Sequence, residues 1–474
     1  MSRKYQVKAV PVSWILHEGR RLDCGPYMSG AVEARELLQS LPMRKDPLQS
    51  LTKDGISGII NPGRITRNWV DDPEHGYRFL SSTEILQSDL SNISLIAKSA
   101  ARQNANLLID KDWILITRSG TVGRMAYSRS DMSGLACTED VLRVIPNPEV
   151  VKPGYIYAYL TTRFGVPLVV SGTYGSIITH LEPHHIADLP VPRLGEIEDK
   201  AHNLVQRAAD LRVVAAAQIN ESTSRYLAAA GVDNISPYEW IKNSGRTGFT
   251  AKISRSILRA VNYIPLNQQL VEHVKIKSPK WMPLGKVTEQ GTLKRGLRFK
   301  RVDADQEFGL RLVGQREGFH FSPEGRWIAK SYLRNDPLIN LSEGAIVVAS
   351  QGGINESDSF ARAQFVYGKK LEYVYSEHFL RIISNEHIIP RGALFAYIRS
   401  NLAFRLLRSC AVGSMQQDFH PDLLAELPVP LIAEDEAKAI DILVRDSFQK
   451  YDEAIDCEDQ ARAIVEEAIE KGGH

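Results

Sequence analysis

Two polar, proline-free runs, Glu196–Ala230 and residues 434–471, carry small and aliphatic side chains three or four positions apart along one stripe. That spacing is the period of a helix with a single buried face. In the first run Ile197, Leu204 and Leu211 return at sevens with Ala201, Ala208 and Ala215 beside them. In the second, Ile440, Leu443, Tyr451, Ala454, Ala461, Ile464 and Ala468 make a similar line. At 1.5 Å of rise per residue, runs of ~35 residues predict rods of ~50 Å, too long and too one-sided for ordinary core helices.

Each run follows the same short stretch: Asp188-Leu189-Pro190-Val191-Pro192 and, 238 positions on, Glu426-Leu427-Pro428-Val429-Pro430. The same offset sets Gly175 and Ser176 on Gly413 and Ser414, Tyr159 on Tyr397, and Glu139, Leu142 and Arg143 on Glu377, Leu380 and Arg381. Farther upstream, Asp72, Glu74, Gly76 and Arg78 match Asp305, Glu307, Gly309 and Arg311. An α/β (α+β) tandem repeat follows: a globular unit over residues 1–193, a long helix over 194–232, a second unit over 233–431 and a second long helix over 432–474. Within the units, apolar runs predict a strand ending in a glycine loop (residues 113–124 and 345–353) and a second strand (141–145 and 379–383). A helix (154–164 and 392–407), a Gly-Ser turn and a short helix opened by Pro183 or Pro421 come next. The start of the chain predicts a strand over residues 6–15 and a helix over 30–40.

Composition adds bounds. With 474 residues, 43% of them hydrophobic, each unit can hold a core. No apolar run approaches the ~20 residues of a membrane span, and residues 1–12 lack a signal peptide's apolar block, so the expected location is the cytoplasm. Cys24, Cys137, Cys410 and Cys457 stand far apart, which suits packing or surface thiols and neither a zinc site nor a disulfide framework. The net charge of +2 is unevenly spread: residues 434–471 hold 13 acidic and 5 basic side chains (−8) and residues 194–232 hold 5 and 4 (−1), leaving +11 elsewhere. Positive units beside acidic helices suit a polyanion binder whose helices meet protein partners, although helices kept soluble by glutamate give the same balance.

The cations gather in loops. Arg64 and Arg67 lie in a turn-rich segment, residues 61–68, whose counterpart, residues 294–301, holds Lys294, Arg295, Arg298, Lys300 and Arg301 among Gly and Phe. Such a mixture suits phosphates and base edges, while a solvated charge run is the commoner origin of any single cluster. Arg118 and Arg124 flank the first glycine loop and Gln351 opens the second, where backbone amides can approach an anion closely. Neither loop has the Lys-Ser or Lys-Thr of a nucleotide-binding phosphate loop. The Gly-Ser turns add Ser176, Thr179 and His180 in one unit and Ser414, Gln416 and Gln417 in the other. Glutamines can pair with adenine, and unlike residues at equivalent places imply unlike targets. His180, His184 and His185 have a ligand-like spacing, yet Pro183 interrupts it and the second copy offers Asp418, Asp422 and Leu423, so no metal is expected. Ser236-Pro237-Tyr238-Glu239 lacks the second proline of an amino-methyltransferase tetrad, and the second copy of Gly154-Tyr155-Ile156-Tyr157 is the apolar Gly392-Ala393-Leu394-Phe395. No catalytic residue and no resident cofactor are expected.

The Arg118-Ser119-Gly120-Thr121-Val122-Gly123 loop, the Gly-Ser turn, the short helix, the Leu-Pro-Val-Pro and the long helix, in that order and in two copies, resemble the specificity subunits of Type I restriction-modification enzymes. Arg21-Leu22-Asp23 and the Asp-x-Glu-x-Gly segments fit the same family. The resemblance implies two target recognition domains, each reading half of a split DNA site, and long helices that pair as an antiparallel coiled coil. It also implies a non-catalytic subunit on which two methyltransferase subunits dock, with S-adenosylmethionine on those partners and a motor-nuclease subunit in some systems. After each Leu-Pro-Val-Pro the family has Pro-Leu and then Glu-Gln, whereas this chain has Arg193-Leu194-Gly195-Glu196 and Leu431-Ile432-Ala433-Glu434. A divergent defence or modification system is the expected setting. The competing reading is a duplicated coiled-coil scaffold whose globular units bind something other than DNA.

Overall fold

A computed structural model describes residues 7–17, 20, 22, 24–171, 180–244, 248–253 and 257–472. The Leu-Pro-Val-Pro stretches close the units. Pro190–Pro192 pairs antiparallel with Lys45–Pro47, Val191 opposite Asp46, and Pro428–Pro430 pairs in the same way with Trp281–Pro283, Val429 opposite Met282. The valines are fully buried. Proline cannot donate to a ladder but its carbonyl still accepts, and tyrosine hydroxyls use those carbonyls: Tyr159 donates to Pro190 (2.5 Å), Tyr397 to Pro428 (2.7 Å) and Tyr226 to Pro430 (2.5 Å).

Besides these closing pairs, each unit holds a four-stranded sheet of matching strand order and a second sheet, of four strands in the first unit and three in the second, and the second unit adds the pair Ala411–Val412 with Asp418–Phe419. In the first unit, the matching sheet runs Ile59–Ile60, Val141–Val144, Ile114–Thr117, Met125–Tyr127; in the second, it runs Lys294–Arg295, Phe379–Ile382, Ile346–Ala349, Ala363–Phe365. The central pairs keep one register, Leu115 opposite Arg143 and Val347 opposite Arg381. The other sheets are built on Gly76–Leu80 and Gly309–Val313, each of which also pairs parallel with a later strand, Ala136–Cys137 or Tyr373–Tyr375.

The buried helices Pro153–Leu160 and Arg391–Ile398 dock each unit on the rods. Gly154 N–H donates to His202 Nδ1 (3.2 Å) and Gly392 N–H to Asp441 Oδ1 (2.6 Å), a contact so close that a Cβ at either glycine would fall 2.8 Å or less from the rod side chain. The single helices expected over 154–164 and 392–407 are each broken. Thr162 Oγ1 accepts from Gly165 N–H (2.9 Å) and Ser400 Oγ from Ala403 N–H (3.1 Å), so a capping hydroxyl at the same place in each copy starts a new helix, Gly165–Ser171 or Asn401–Arg408.

The rods are Glu196–Ala230 and Glu434–Glu470. Arg207 meets Glu453, Gln218 meets Asp446 (2.7 Å) and Arg225 meets Glu436 (3.0 Å), so numbers fall on one helix as they rise on the other and the pair is antiparallel. The innermost line is Ala201, Val205, Ala208, Arg212, Ala215, Ile219, Ser222 and Tyr226, alternately four and three apart. Ile197, Leu204 and Leu211 are only half-buried and form its shoulder. Small side chains let the two axes approach, and the leucines then find room only at the side. The strand expected over residues 6–15 is instead the helix Val12–His17, whose Trp14 Nε1 donates to Glu36 (2.5 Å) on the helix Ala31–Ser40. Among the described residues none of positions 7–17 is paired in a sheet.

The two units also touch one another at mid-rod, where Gln87 and His320 form an isolated antiparallel bridge. Burial, with Arg124, Lys370 and Arg316 nearby, pushes the His320 imidazole from its ordinary 6.5 down to about 4. The unfolded chain therefore takes up this proton near pH 6.5 while the folded chain resists until about pH 4, so stability falls as pH drops through that window and levels off below it. The urea midpoint of the wild type is expected to decline from pH 7 to pH 4.5 more steeply than that of His320→Gln. Parallel declines would remove His320 as the cause.

A candidate nucleic-acid interface built in duplicate

A strand residue that is fully buried and cationic needs acceptors close by. Arg143 and Arg381, at equivalent places, find them in the turn that precedes their own strand. Arg143 donates to the carbonyls of Cys137 (2.6 Å), Thr138 (2.9 Å) and Val141; Arg381 donates to those of Tyr375 (2.7 Å), Ser376 (2.9 Å) and Phe379 (2.5 Å), the same three positions 238 residues on. Burial lowers both guanidinium groups, Arg381 to about 10, so Arg381 remains charged at neutral pH. The turns they hold, residues 138–140 and 376–378, present Glu139 and Glu377. These in turn fix one arginine of each basic loop: Arg67 donates to Glu139 (3.0 Å) and Thr138 Oγ1 (3.1 Å), and Arg301 donates to Glu377. Burial pushes the Glu377 carboxyl up, but its own backbone N–H and Arg301 outweigh this and hold it below the usual range.

In the first unit the other loops join the same turn. Ser119 Oγ donates to Asp140 (2.7 Å), Arg118 N–H to the Asp140 carbonyl (2.9 Å), Arg118 Nε to the Leu181 carbonyl (3.1 Å), and both the Arg118 guanidinium and Asn61 (2.9 Å) reach Glu182. Gly123 has φ 87°, and a Cβ there would lie 2.5 Å from Val170. Arg124 leaves the cluster and pairs with Glu324 of the second unit (2.7 Å). Arg64 is exposed and makes no ion pair among the described residues. His180 is half-buried, its Nδ1 without a partner among the described residues; Ser176 and Thr179, with Arg21 and Asp23, lie outside those residues.

In the second unit Arg295 is the hub. It donates to the Glu377 carbonyl (3.0 Å) and to Asp418 (2.5 Å) and lies beside His378. The Gln351 amide lies between Arg295 and His378, where the orientation that satisfies both neighbours turns its oxygen to Arg295 (3.1 Å) and its nitrogen to His378 Nδ1 (2.5 Å), and its backbone is held on both sides by Gln315 (2.6 and 2.9 Å). Lys294 and Arg298 are exposed without ion pairs among the described residues, and Lys300 lies over the Tyr332 ring (4.9 Å). Ser414 and Gln416 are exposed at the turn. Gln417, expected to face a base beside Gln416, is instead 3% exposed, because its amide closes the turn on the Ser414 carbonyl (2.5 Å) and its N–H reaches the Gly352 carbonyl (3.0 Å).

The basic loop, the glycine loop and the turn under the buried arginine thus converge in each unit, leaving free cations around guanidinium groups already fixed by carboxylates. Sequence reasoning named Asp418 only as the counterpart of His180 and passed over Glu182, His378 and the anchoring role of Arg143 and Arg381; the 238-residue match of Glu139 and Arg143 with Glu377 and Arg381 was the available signal. Among the described residues no group of His, Cys, Asp and Glu could hold a metal ion, and no helix is long and apolar enough to cross a membrane.

No family model and no curated protein matches the sequence. Solved structures similar to the chain include the S subunit of a Type-I restriction-modification system from M. genitalium, 12% identical, covering 91% of this chain and 96% of that one at a TM-score of 0.35. The HsdS subunit from Thermoanaerobacter tengcongensis is 11% identical over 90% of this chain and 97% of its own, at 0.27. A third, from a structure concerned with complex assembly and conformational transition of the type I R-M system, is 11% identical over 91% and 98%, at 0.26. Scores this low carry no residue-by-residue correspondence, and the roles assigned to side chains come from this chain's own repeat and loop geometry.

Proposed function

We propose that this chain is a non-catalytic DNA specificity subunit: each unit reads one half of a bipartite duplex site through its loop cluster, and the antiparallel rods carry the methyltransferase subunits that act there. The observation that carries this reading is the duplicated cluster, one scaffold of buried arginine and turn glutamate dressed with different exposed residues. Asp140 in one unit stands where His378 stands in the other, and His180 where Asp418 stands. A shared frame with unlike reading groups is what two unlike half-sites require. Arg64, Lys294, Arg298 and Lys300 supply free charge for phosphates, whereas Arg67, Arg118, Arg295 and Arg301, held by carboxylates or a carbonyl, are oriented in advance. The acidic face of the second rod suits basic protein partners, S-adenosylmethionine belongs to those partners, and a motor-nuclease joins where the system encodes one. The cytoplasm is the compartment in which such an assembly meets DNA.

The test is binding of the purified chain to a random 40-base-pair duplex across a salt series. Affinity is expected to fall linearly on a log–log plot, and Arg298→Ala with Lys300→Ala to make the slope shallower by about 0.9 for every phosphate no longer neutralised. A slope that both replacements leave unchanged would put the phosphate-binding side chains elsewhere.

A further inference from the structure

The contact between the units has a symmetry of its own. The single turns Glu84–Leu86 and Glu317–Phe319 occupy the same place in the two copies, 233 positions apart, and the residue after each, Gln87 or His320, pairs with the other. Ser88 N–H donates to the Phe319 carbonyl (3.3 Å), and Phe321 N–H donates to the Leu86 carbonyl (2.9 Å). Exchanging the halves turns one of these bonds into the other, so a local two-fold axis passes through the bridge.

The rods obey the same exchange. Arg212 and Tyr451, 239 positions apart, lie near the middles of their helices. The Arg212 guanidinium lies 3.4 Å from the centre of the Phe321 ring, and Tyr451 Oη donates to the Ser88 carbonyl (3.1 Å), each rod thus gripping the residue that follows the bridge. Asp89 pairs with Arg399 (2.8 Å) and Arg124 with Glu324 (2.7 Å), one ion pair on each flank. Unit, rods and second unit therefore form a closed ring, joined by a self-complementary contact that admits no sliding.

We infer that this clasp, acting with the rods, fixes the facing of the two loop clusters and holds them at one separation, making Gln87, Ser88, Asp89, His320 and Phe321 determinants of how sharply the gap between half-sites is defined. The inference rests on the DNA reading above and deepens it. Each unit is already held on the rods by its buried helix and by ion pairs such as Arg163 with Glu470 and Lys369 with Asp456 (2.6 Å), and the two main-chain bonds and two ion pairs of the clasp then tie one unit directly to the other.

The bridge is a non-hydrogen-bonded antiparallel pair, a type whose Cα atoms lie about 4.5 Å apart, within the span of a disulfide. In a Cys24→Ser background, Gln87→Cys with His320→Cys can therefore lock the clasp on oxidation. The full chain would select from a random 40-base-pair duplex library, with the enriched pairs sequenced. The oxidised chain is expected to enrich the same two half-sites at the same gap as its reduced form and the wild type. Asp89→Lys with Glu324→Lys, which sets like charges against Arg399 and Arg124, is expected to keep both half-sites and spread the gap over two or three base pairs. Loss of the motif on oxidation alone, or a single unchanged gap in the charge-reversed chain, would overturn the clasp as the spacing device. A wild-type chain that enriches no paired motif would overturn the DNA reading and the spacing role with it, while thiol titration of the double-cysteine chain would still report whether the units are joined.

Discussion

Replacing Arg381 with methionine is expected to dissolve the second loop cluster while leaving the first in place. The guanidinium serves four carbonyls, those of Tyr375, Ser376 and Phe379 and, through Nε, that of Leu338 (3.1 Å), in a site 1% exposed. A buried acceptor left without a donor costs about 1–3 kcal/mol. Phe379 retains a bond from Gly296 N–H (3.2 Å) and Ser376 one from Phe379 N–H (3.3 Å), so loss of the donor to the Tyr375 and Leu338 carbonyls gives a destabilisation of about 2 kcal/mol or more. That is a large part of the roughly 5–15 kcal/mol typical of a folded chain. The basic loop should respond most, because its backbone passes directly over this side chain: a Cβ at Gly296 would fall 2.3 Å from the guanidinium carbon. Hydrogen exchange is expected to accelerate in residues 294–301 and 375–379 of Arg381→Met, and of Gly296→Ala, with residues 61–68 and 137–141 unchanged. Arg143→Met is expected to give the mirror result. Uniform acceleration across both units, or none in the basic loop, would separate the buried arginine from the loop it is held to support.

The repeat, the central strands and both rods were legible because each is a matter of period and of residues that recur in place. The opening helix was not, since the β-branched Val7, Val10, Val12 and Ile15 favour a strand as much as a helix, and among the described residues none of positions 7–17 is paired in a sheet. On the rods the pattern located the stripe but favoured its largest side chains, whereas close approach of two helices puts the alanines inside. The site was legible as cations in turn-rich loops. What fixes those cations was not, because Glu139, Glu182, Glu377 and Asp418 are separated from their arginines by 64 to 123 positions and nothing in a single sequence ties them together. The clasp was hidden for a related reason: Gln87 and His320, Ser88 and Phe321, are equivalent in place but unlike in chemistry, and a main-chain bridge does not require them to be alike.

At the centre of the rods, cutting Arg212 to alanine is expected to cost about 3–5 kcal/mol, the usual effect of removing one partner from a buried ion pair. Arg212 and Glu458 meet across the seam at 2.7 Å with side chains 8% and 10% exposed, and without Arg212 the carboxylate stays buried and unpaired. Arg212→Ala also strips the Phe321 ring of its cation, so the clasp should weaken together with the rods. Glu458→Ala should be milder, because Arg212 keeps the ring. Replacing both with methionine restores volume and leaves no buried charge, and the rods of that chain are expected to match or exceed the wild type in urea. Its clasp should still be weaker, since the contact from Arg212 to Phe321 is gone. The two effects are separable: urea midpoints report the rods, and the rate of disulfide formation between Gln87→Cys and His320→Cys in the same backgrounds reports the clasp. Equal destabilisation by both single alanine replacements, with an unaltered disulfide rate in the methionine pair, would mean that the buried pair serves the rods alone and that the units are held together without it.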